Sequence, residues 1–271
     1  MNMTLFTTLF TLRNLVLGVS LLGASLGMPY AQAQDLGGEG LGLDTIEPTE
    51  RLQLNGIEGR LEAGDPLFDA DSNAGLLDGG ERQFKPIFNG EDLEGWMEIG
   101  EGEEANWHVE DSILFTTGAT HSWLATEEEY GDFELSLEFR YQEGGNSGVF
   151  IRAPKEGNPA FDGMEIQILD DDAERWEGLA DWQYSGSLYA IAAPSEKVTK
   201  PAGEWQHFFI RCEGPHIQIR YNGVDVVDVN LDEAESYEEY HPGMERERGH
   251  IGLQDHGDPM EFRNINIREL D

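Results

Sequence analysis

The strongest constraint on the fold is an unbroken alternation of apolar and polar residues from Phe133 to Tyr141. Every odd position in this segment is Phe, Leu or Tyr, and every even position is Glu, Ser or Arg. A period of two places all the apolar side chains on one face of a β-strand. The segment therefore predicts a strand with one buried face and one solvated face, as in antiparallel sheets.

Short patterns of the same kind fill the C-terminal two-thirds of the chain. Ile217, Ile219 and Tyr221 repeat the alternation, and Asn222-Gly223 is a two-residue hairpin turn that leads into a Val-rich returning strand. Further strands are predicted at 147–152, 163–169, 205–212, 249–254 and 261–268. No amphipathic helix of useful length is found, so residues 84–271 are predicted to form one all-β domain, a two-sheet antiparallel β-sandwich or jelly roll.

The N-terminus predicts export. Arg13 precedes an apolar run, Leu15 to Leu26, and the small-residue triplet Ala31-Gln32-Ala33 follows. This order predicts a secretory signal peptide over residues 1–33. The run is shorter than the roughly 18 residues that span a bilayer, although an uncleaved anchor is the alternative. We expect a periplasmic or secreted protein of the bacterial envelope, with no membrane insertion after cleavage.

Residues 34–83 differ in composition from the rest. They contain twelve acidic residues, three arginines and one aromatic residue, Phe68. The apolar surface of this segment is too small to offset the entropy cost of ordering the chain. A flexible, acidic, Gly-rich tether is therefore predicted.

Charge and cysteine content exclude several functions. The net charge of −37 repels nucleic acid and anionic membranes, so neither is expected as a partner. Cys212 is the only cysteine, so no internal disulfide forms. Its apolar neighbours predict a small buried core residue rather than a nucleophile.

Side-chain parity predicts a polar patch shared by three strands. Where Ile166 and Ile168 point inward, Glu165 and Gln167 point outward. The same reasoning, with Val149, Ile151, Ile251 and Leu253 pointing inward, directs a further set outward: Asn146, Arg152, Gln254 and His256. If the strands are neighbours, these side chains form a surface of donors and acceptors suited to sugar hydroxyls, although an ordinary solvated face is the alternative.

Asp170 lies five residues after Glu165, so strict alternation places it on the opposite face. A β-bulge at Leu169 would bring both carboxyl groups together as a pair for glycoside cleavage. Otherwise Asp170 begins an acidic loop. Among other candidates, Trp176 and Trp182 would stack on a sugar or anchor the core, and Lys200 is one of few cations. Trp107, Trp123 and Trp205 are expected in the core.

Segments spread over residues 84–271 resemble the 3-keto-disaccharide hydrolase family. Their number and order make the resemblance specific. The matching segments are 87–96, 107–111, 130–135, 145–152, 164–170, 186–189, 200–205, 252–256 and 261–265. Ser187 stands where the family more often has Ala, and residues 173–183 have no recognisable counterpart.

The resemblance implies a concanavalin A-like sandwich with a polar cleft on its concave sheet. It also implies cleavage of glycosides whose carbon 3 carries a ketone. The roles assigned are His256 or Asp170 as base, Glu165 as acid, and Arg152 with Lys200 as stabilisers of enolate-like charge. The expected ligand is an oxidised disaccharide or glycoside. Further expected substrate-binding residues are Asn146, Gln167, Tyr189, Gln254, Trp176 and Trp182.

Three alternatives remain open at this point. The sequence assigns no cofactor with certainty, and a divalent metal ion on Glu165, Asp170 and His256 is a further hypothesis. A non-catalytic carbohydrate-binding module needs the same stacking and amide groups without a titrating pair. A conventional retaining glucanase is less favoured, because Gln167 replaces the middle acid of its Glu-x-Asp-x-Glu pattern.

Overall fold

The computed structural model describes residues 83–100 and 106–270. The expected signal peptide, and all but the last residue of the expected tether, lie outside these residues and stay predictions. The described part contains thirteen β-strands and one four-residue helix, α1 (Pro159–Asp162). None of its helices is long and apolar enough to cross a membrane.

The strands are β1 (Lys85–Pro86), β2 (Trp96–Ile99), β3 (Trp107–Glu110), β4 (Ile113–Thr116), β5 (Trp123–Tyr130), β6 (Phe133–Tyr141), β7 (Asn146–Ala153), β8 (Met164–Leu169), β9 (Gln206–Glu213), β10 (His216–Tyr221), β11 (Val224–Asn230), β12 (Gly249–Gln254) and β13 (Met260–Glu269). Three 3₁₀ turns lie in the loops, at Glu174–Trp176, Asp181–Gln183 and Pro242–Glu245.

The strands form two antiparallel sheets, which confirms the predicted two-sheet fold. An eight-stranded sheet has the order β11-β10-β9-β6-β13-β4-β3, with β1 paired to β13. A five-stranded sheet has the order β2-β5-β12-β7-β8. Three strands that the parity argument used, β12, β7 and β8, are therefore neighbours.

The inward faces of the two sheets share one hydrophobic core. All five odd-numbered side chains of β6 belong to it. The facing sheet contributes the aliphatic residues predicted to point inward: Val149, Ile151, Ile166, Ile168, Ile251 and Leu253. Cys212 lies in the same core, and burial raises its thiol pKa to about 12, which fits the predicted small buried residue.

The turn between β10 and β11 follows the prediction from Asn222-Gly223. Asn222 has φ 48° and Gly223 has φ 88°. Two successive residues with positive φ form the hairpin turn that matches strand twist, and Asn-Gly tolerates it at low cost.

The expected burial in a hydrophobic core is confirmed for two of the three tryptophans, Trp107 and Trp123. Trp107 is in the main core. Trp123 is buried instead on the outer face of the five-stranded sheet, where its ring meets Phe150 edge to face at 5.5 Å. Trp205 is half-buried, with the Arg263 guanidinium 3.9 Å from its ring centre. Alternation identifies a face but does not say which face the core covers.

Candidate active site

Five polar side chains gather on the outer face of the five-stranded sheet, and we call this set the polar patch. Glu165 and Gln167 come from β8, Asn146 from β7, Gln254 from β12 and His256 from the residues that follow β12. Val149 opposes Ile166 and Leu253 opposes Val149 in the strand register. Because these aliphatic residues point into the core, the alternate polar residues share the outer face.

Side-chain amides connect the members of the patch. The Gln254 amide donates a hydrogen bond to the Glu165 carboxyl group. Gln167 Nε2 donates to Asn146 Oδ1 at 3.1 Å. Asn146 Nδ2 lies 3.3 Å from His256 Nδ1. The predicted convergence of separate stretches of chain onto one polar surface is therefore present in the structure for these five residues.

Gly148 provides the space in which Glu165 reaches Gln254. Gly148 lies opposite Gln167, between β8 and β12. A Cβ at this position would overlap Glu165 Oε1 and lie 2.8 Å from the carboxyl carbon. The absence of a side chain at Gly148 thus permits the Glu165 carboxyl group to lie over the neighbouring strand.

The environment of Glu165 favours its neutral form. Its side chain is 4% exposed. Burial raises its pKa to about 8, and the hydrogen bond from Gln254 offsets only part of this effect. Near neutral pH, Glu165 is thus mostly protonated and is able to donate a proton.

The environment of His256 also favours the neutral form, but it shifts the pKa in the opposite direction. Burial lowers its pKa, and the neighbouring His121 and Arg175 lower it further, while Asp258 opposes them. The His121 ring meets His256 edge to face at 5.7 Å. His256 is half-buried and His121 is exposed, so solvent reaches the patch at this end.

Sequence reasoning missed an ion pair beside His256. Arg175 Nη2 lies 2.6 Å from Asp258 Oδ2, and Asp258 also accepts a hydrogen bond from the Asn146 backbone at 3.1 Å. The Arg175 guanidinium lies 4.5 Å from the centre of the Trp176 ring. Arg175 lies in residues 173–183, for which no matching segment of the family was recognised. Its partner, Asp258, is 83 residues away in the sequence.

Residues 186–189 extend the sheet beyond β8. Gly186 N donates to Gln167 O at 2.9 Å, and Gln167 N donates to Ser187 O at 3.1 Å. With φ 85° at Gly186, this is a bulge in which Gly186 and Ser187 together face Gln167. Tyr189 N then donates to Glu165 O at 2.8 Å, so the Tyr189 backbone adjoins β8, and the role of its side chain in substrate binding stays a prediction.

Trp182 lies next to Tyr189, whose backbone pairs with Glu165. Its ring meets Tyr189 edge to face at 5.1 Å and stacks on the exposed Tyr237 at 5.8 Å. The expected role of Trp182 in sugar stacking is thus compatible with its position. Trp176 is half-buried, and its indole N–H donates to Gly144 O at 2.9 Å.

Asp170 does not join Glu165. The register between β7 and β8 runs without a shift from Ile151–Met164 to Asn146–Leu169, so the bulge expected at Leu169 is absent. The Asp170 carboxylate instead accepts the Gly144 N–H at 2.7 Å. Asp170 holds the turn before β7, and the prediction that it is the second carboxylate of the site was wrong.

Arg152 also leaves the patch, because the strand is irregular there. His250 pairs with Ala153 and Gly252 pairs with Phe150, so Ile151 and Arg152 together face one residue of β12. Arg152 has φ 49° at this bulge. Its guanidinium donates to Gly131 O, Arg246 O and Asp132 Oδ1, each at 3.1 Å. The prediction that Arg152 faces the substrate was wrong.

Replacing Arg152 with Met is expected to lower the free energy of unfolding by about 3 kcal/mol, because Asp132 and two backbone carbonyl groups lose a buried partner. Urea denaturation measures this change, and turnover per folded molecule should be nearly unchanged. Loss of turnover at unchanged stability would return Arg152 to the site.

A match to a family model covers residues 83–268, and its description is "3-keto-alpha-glucoside-1,2-lyase-like domain". The chain belongs to this family. The family resemblance inferred from the sequence is therefore confirmed.

Similar proteins come from Bacteroides thetaiotaomicron and Parabacteroides distasonis. A protein of Bacteroides thetaiotaomicron named 3-keto-disaccharide hydrolase is 27% identical over 225 residues, which are 68% of this chain and 78% of that protein. Two crystal structures from Parabacteroides distasonis carry a provisional glycosyl hydrolase assignment. One is 31% identical with a TM-score of 0.61, and the other is 27% identical with a TM-score of 0.62. Each match covers 69% of this chain, and 100% and 94% of those chains respectively.

Lys200, which the family resemblance suggested as a charge stabiliser, is engaged elsewhere. Its Nζ donates to Trp205 O at 2.9 Å, and its backbone N–H donates to Gln206 Oε1 at 3.0 Å. Gln206 lies on β9 of the eight-stranded sheet. The prediction that Lys200 contacts substrate at the patch therefore finds no support in its position.

The metal hypothesis does not fit the residues of the patch. Within residues 83–100 and 106–270, no three His, Cys, Asp or Glu side chains are grouped so as to hold a metal ion. Asp170 is bound to Gly144 N, and the patch retains one carboxyl group and one imidazole. No step of the chemistry below is routed through a metal.

A surface depression of about 540 Å³ lies away from the patch and shares none of its five residues. It is lined by Glu127, Glu129, Pro154, Lys155, Glu156, Arg246 and His250. This lining is charged and open, and it lacks the enclosed acid that makes the patch chemically distinctive. We therefore assign the site by its chemistry rather than by volume.

Proposed function

We propose that this carbohydrate-active enzyme cleaves the glycosidic bond of 3-keto glycosides, including disaccharides. A base removes the hydrogen on carbon 2, which the ketone on carbon 3 acidifies. The electron pair forms a double bond to carbon 1, the glycosidic oxygen leaves with a proton from the acid, and water then adds across the double bond. The sum is hydrolysis. Family membership and the name of the Bacteroides relative support this reaction class.

The observation that carries the proposal is the pair of opposed pKa shifts within one patch. Burial raises the pKa of Glu165 to about 8, so this carboxyl group is mostly protonated at neutral pH. Burial lowers the pKa of His256, so its imidazole stays neutral at pH values where a free imidazole would be protonated. Titrating groups whose environments favour opposite protonation states divide the roles of acid and base between them. Glu165 therefore protonates the leaving oxygen, and His256 takes the hydrogen from carbon 2.

The neighbouring groups orient these two residues. Gln254 fixes the Glu165 carboxyl group by hydrogen bonding. Asn146 Nδ2 lies 3.3 Å from His256 Nδ1 and helps to hold the orientation of the imidazole ring. Arg175 supplies a positive charge near His256 and favours the enolate-like oxygen that forms during the reaction.

Export remains part of the proposal. The N-terminal pattern of Arg13, an apolar run and Ala31-Gln32-Ala33 supports cleavage after Ala33 and action in the periplasm or outside the cell. N-terminal sequencing of protein recovered from periplasm or medium should begin at Gln34. Recovery of uncleaved protein in the membrane fraction would contradict this part.

Isotope incorporation tests the reaction directly. Turnover of a 3-keto disaccharide in D₂O should place one deuterium on carbon 2 of the released keto sugar, because hydration delivers a solvent proton there. Mass spectrometry after short reaction times measures this, with the free keto sugar in buffer as the control for spontaneous exchange. Cleavage without deuterium on carbon 2 would refute elimination. Sugar binding without any cleavage would support a binding module.

A bell-shaped pH profile is expected for kcat/KM on a 3-keto glycoside. Activity should rise as His256 loses its proton, with a midpoint below pH 6.5, and fall as Glu165 ionises near pH 8. Initial rates between pH 4 and pH 10 measure both limbs. The Glu165→Gln variant should lose the alkaline limb in its residual activity, and an unchanged limb would assign it to another group.

A further inference from the structure

The hydroxyl of Ser187 is buried without a partner. Its side chain is wholly enclosed, and Oγ has no hydrogen-bond partner among the described residues. Two other buried serines of this region are satisfied. Ser147 Oγ donates to Gln254 O at 2.7 Å, and Ser185 Oγ accepts from Leu169 N at 3.3 Å. Because a buried unpaired hydroxyl costs stability, its presence at Ser187 requires an explanation.

The bulge at Gly186 places Ser187 beside the polar patch. Ser187 O accepts the Gln167 N–H at 3.1 Å, and the next residue, Leu188, pairs with Ile166 with both side chains in the core, so Ser187 and Gln167 take the opposite face. Ser187 is therefore on the face of Gln167 and Glu165. Those two side chains are nearly as enclosed as Ser187, at 3% and 4% exposure, so all three polar groups need a ligand that enters the same covered part of the sheet face.

We infer that Ser187 is a substrate-contacting residue that determines specificity through a hydrogen bond to one hydroxyl of the bound sugar. A serine hydroxyl both donates and accepts, as a sugar hydroxyl does. A site built to pair with a hydroxyl discriminates against an analogue that lacks it, since its own polar group is then left unpaired. This inference rests on the proposed function and names a contact within it.

The experiment compares Ser187→Ala with the wild-type chain on a 3-keto disaccharide and on analogues that each lack one hydroxyl. The variant should lose about 3- to 10-fold in kcat/KM on the parent sugar, mostly through KM. One analogue lacks the hydroxyl that Ser187 contacts. On this analogue, the variant and the wild type should have equal kcat/KM. Without sugar, the variant should resist urea at least as well as wild type, because it no longer buries an unpaired hydroxyl.

Ser185→Ala is the matched control. Ser185 is equally buried but paired, so its substitution should lower the urea midpoint and leave the pattern across the analogues unchanged. Equal kinetics of Ser187→Ala and wild type on every sugar would overturn the inference. A uniform loss across all analogues with reduced stability would also overturn it, because it would indicate a structural role.

Failure of the proposed function is separable from failure of this inference. If the wild-type protein cleaves no 3-keto glycoside, the proposed function fails. Calorimetric titration of wild type and Ser187→Ala with the same sugars then decides the contact. The inference is supported if the variant binds the parent sugar more weakly than wild type and both proteins bind one deoxygenated sugar equally. It is overturned if both proteins bind every sugar equally, or if neither binds any sugar detectably.

Discussion

Replacing Glu165 with Gln is expected to lower kcat on a 3-keto glycoside by about 10²- to 10⁴-fold, the usual contribution of a general acid. Gln is nearly isosteric with the protonated acid and keeps a hydrogen-bond partner for Gln254, but it cannot release a proton to the leaving oxygen. Steady-state kinetics at pH 7 measures the loss. Sugar affinity, measured by calorimetry, should change much less than kcat.

Glu138→Gln is the matched control for this experiment. Glu138 is also a buried carboxyl group, but it lies on the eight-stranded sheet and accepts from Arg263 Nε at 2.9 Å. Its substitution should reduce stability through the lost ion pair and leave kcat per folded molecule near that of wild type. If both Gln variants lose activity equally, the loss at Glu165 is not specific to the patch.

Replacing Gly148 with Ala is the second prediction with a large expected effect, a fall in kcat of about 10²-fold. The added methyl group would occupy the place of the Glu165 carboxyl group. Because Cγ of Glu165 would also lie only 2.8 Å from the added methyl group, the whole side chain must turn aside, and its carboxyl group then loses Gln254. Such a misplacement of a reacting group has a large effect on rate.

A double-mutant cycle separates this explanation from general damage to the sheet. In the Glu165→Ala background, Gly148→Ala should have almost no further effect on kcat, since the carboxyl group it displaces is already gone. Urea midpoints of the two single variants and the double variant provide the stability control. Additive losses in kcat would show that Gly148 acts independently of Glu165.

The sequence predicted the fold because the alternation of side chains is a local property of each strand. Residues 133–141 and 164–169 specify their buried faces without any knowledge of their partners. The same local rule located Glu165, Gln167 and Gln254 on one face. It worked for them because β12, β7 and β8 pair in regular register where these residues lie.

The errors arose where strand geometry or long-range pairing departs from the local pattern. Arg152 follows strict alternation in the sequence, but the bulge that it shares with Ile151 redirects it to Asp132. Asp170 was assigned a bulge that the regular register does not contain. Bulges depend on how two strands are paired, and this information is not contained in either strand alone.

The missed residues share a different cause. Arg175 lies in a loop without a periodic pattern, and its contact with Asp258 is formed only after folding. The signal that remained in the sequence was chemical. Arg175 is a rare cation in a chain with 17 basic and 54 acidic residues, and it lies directly beside Trp176. An isolated cation in an acidic chain is a reason to search for an anionic partner or intermediate.

The most direct test of the central claim is the rate at which the purified protein cleaves a 3-keto disaccharide compared with the same disaccharide before oxidation. Chromatography of the released sugars measures both rates, with Glu165→Gln as the inactive reference. The structure predicts rapid cleavage of the oxidised sugar, none of the unoxidised sugar, and loss of cleavage in the variant. Equal cleavage of both sugars would contradict ketone-dependent elimination, and full activity in the variant would contradict acid catalysis by Glu165.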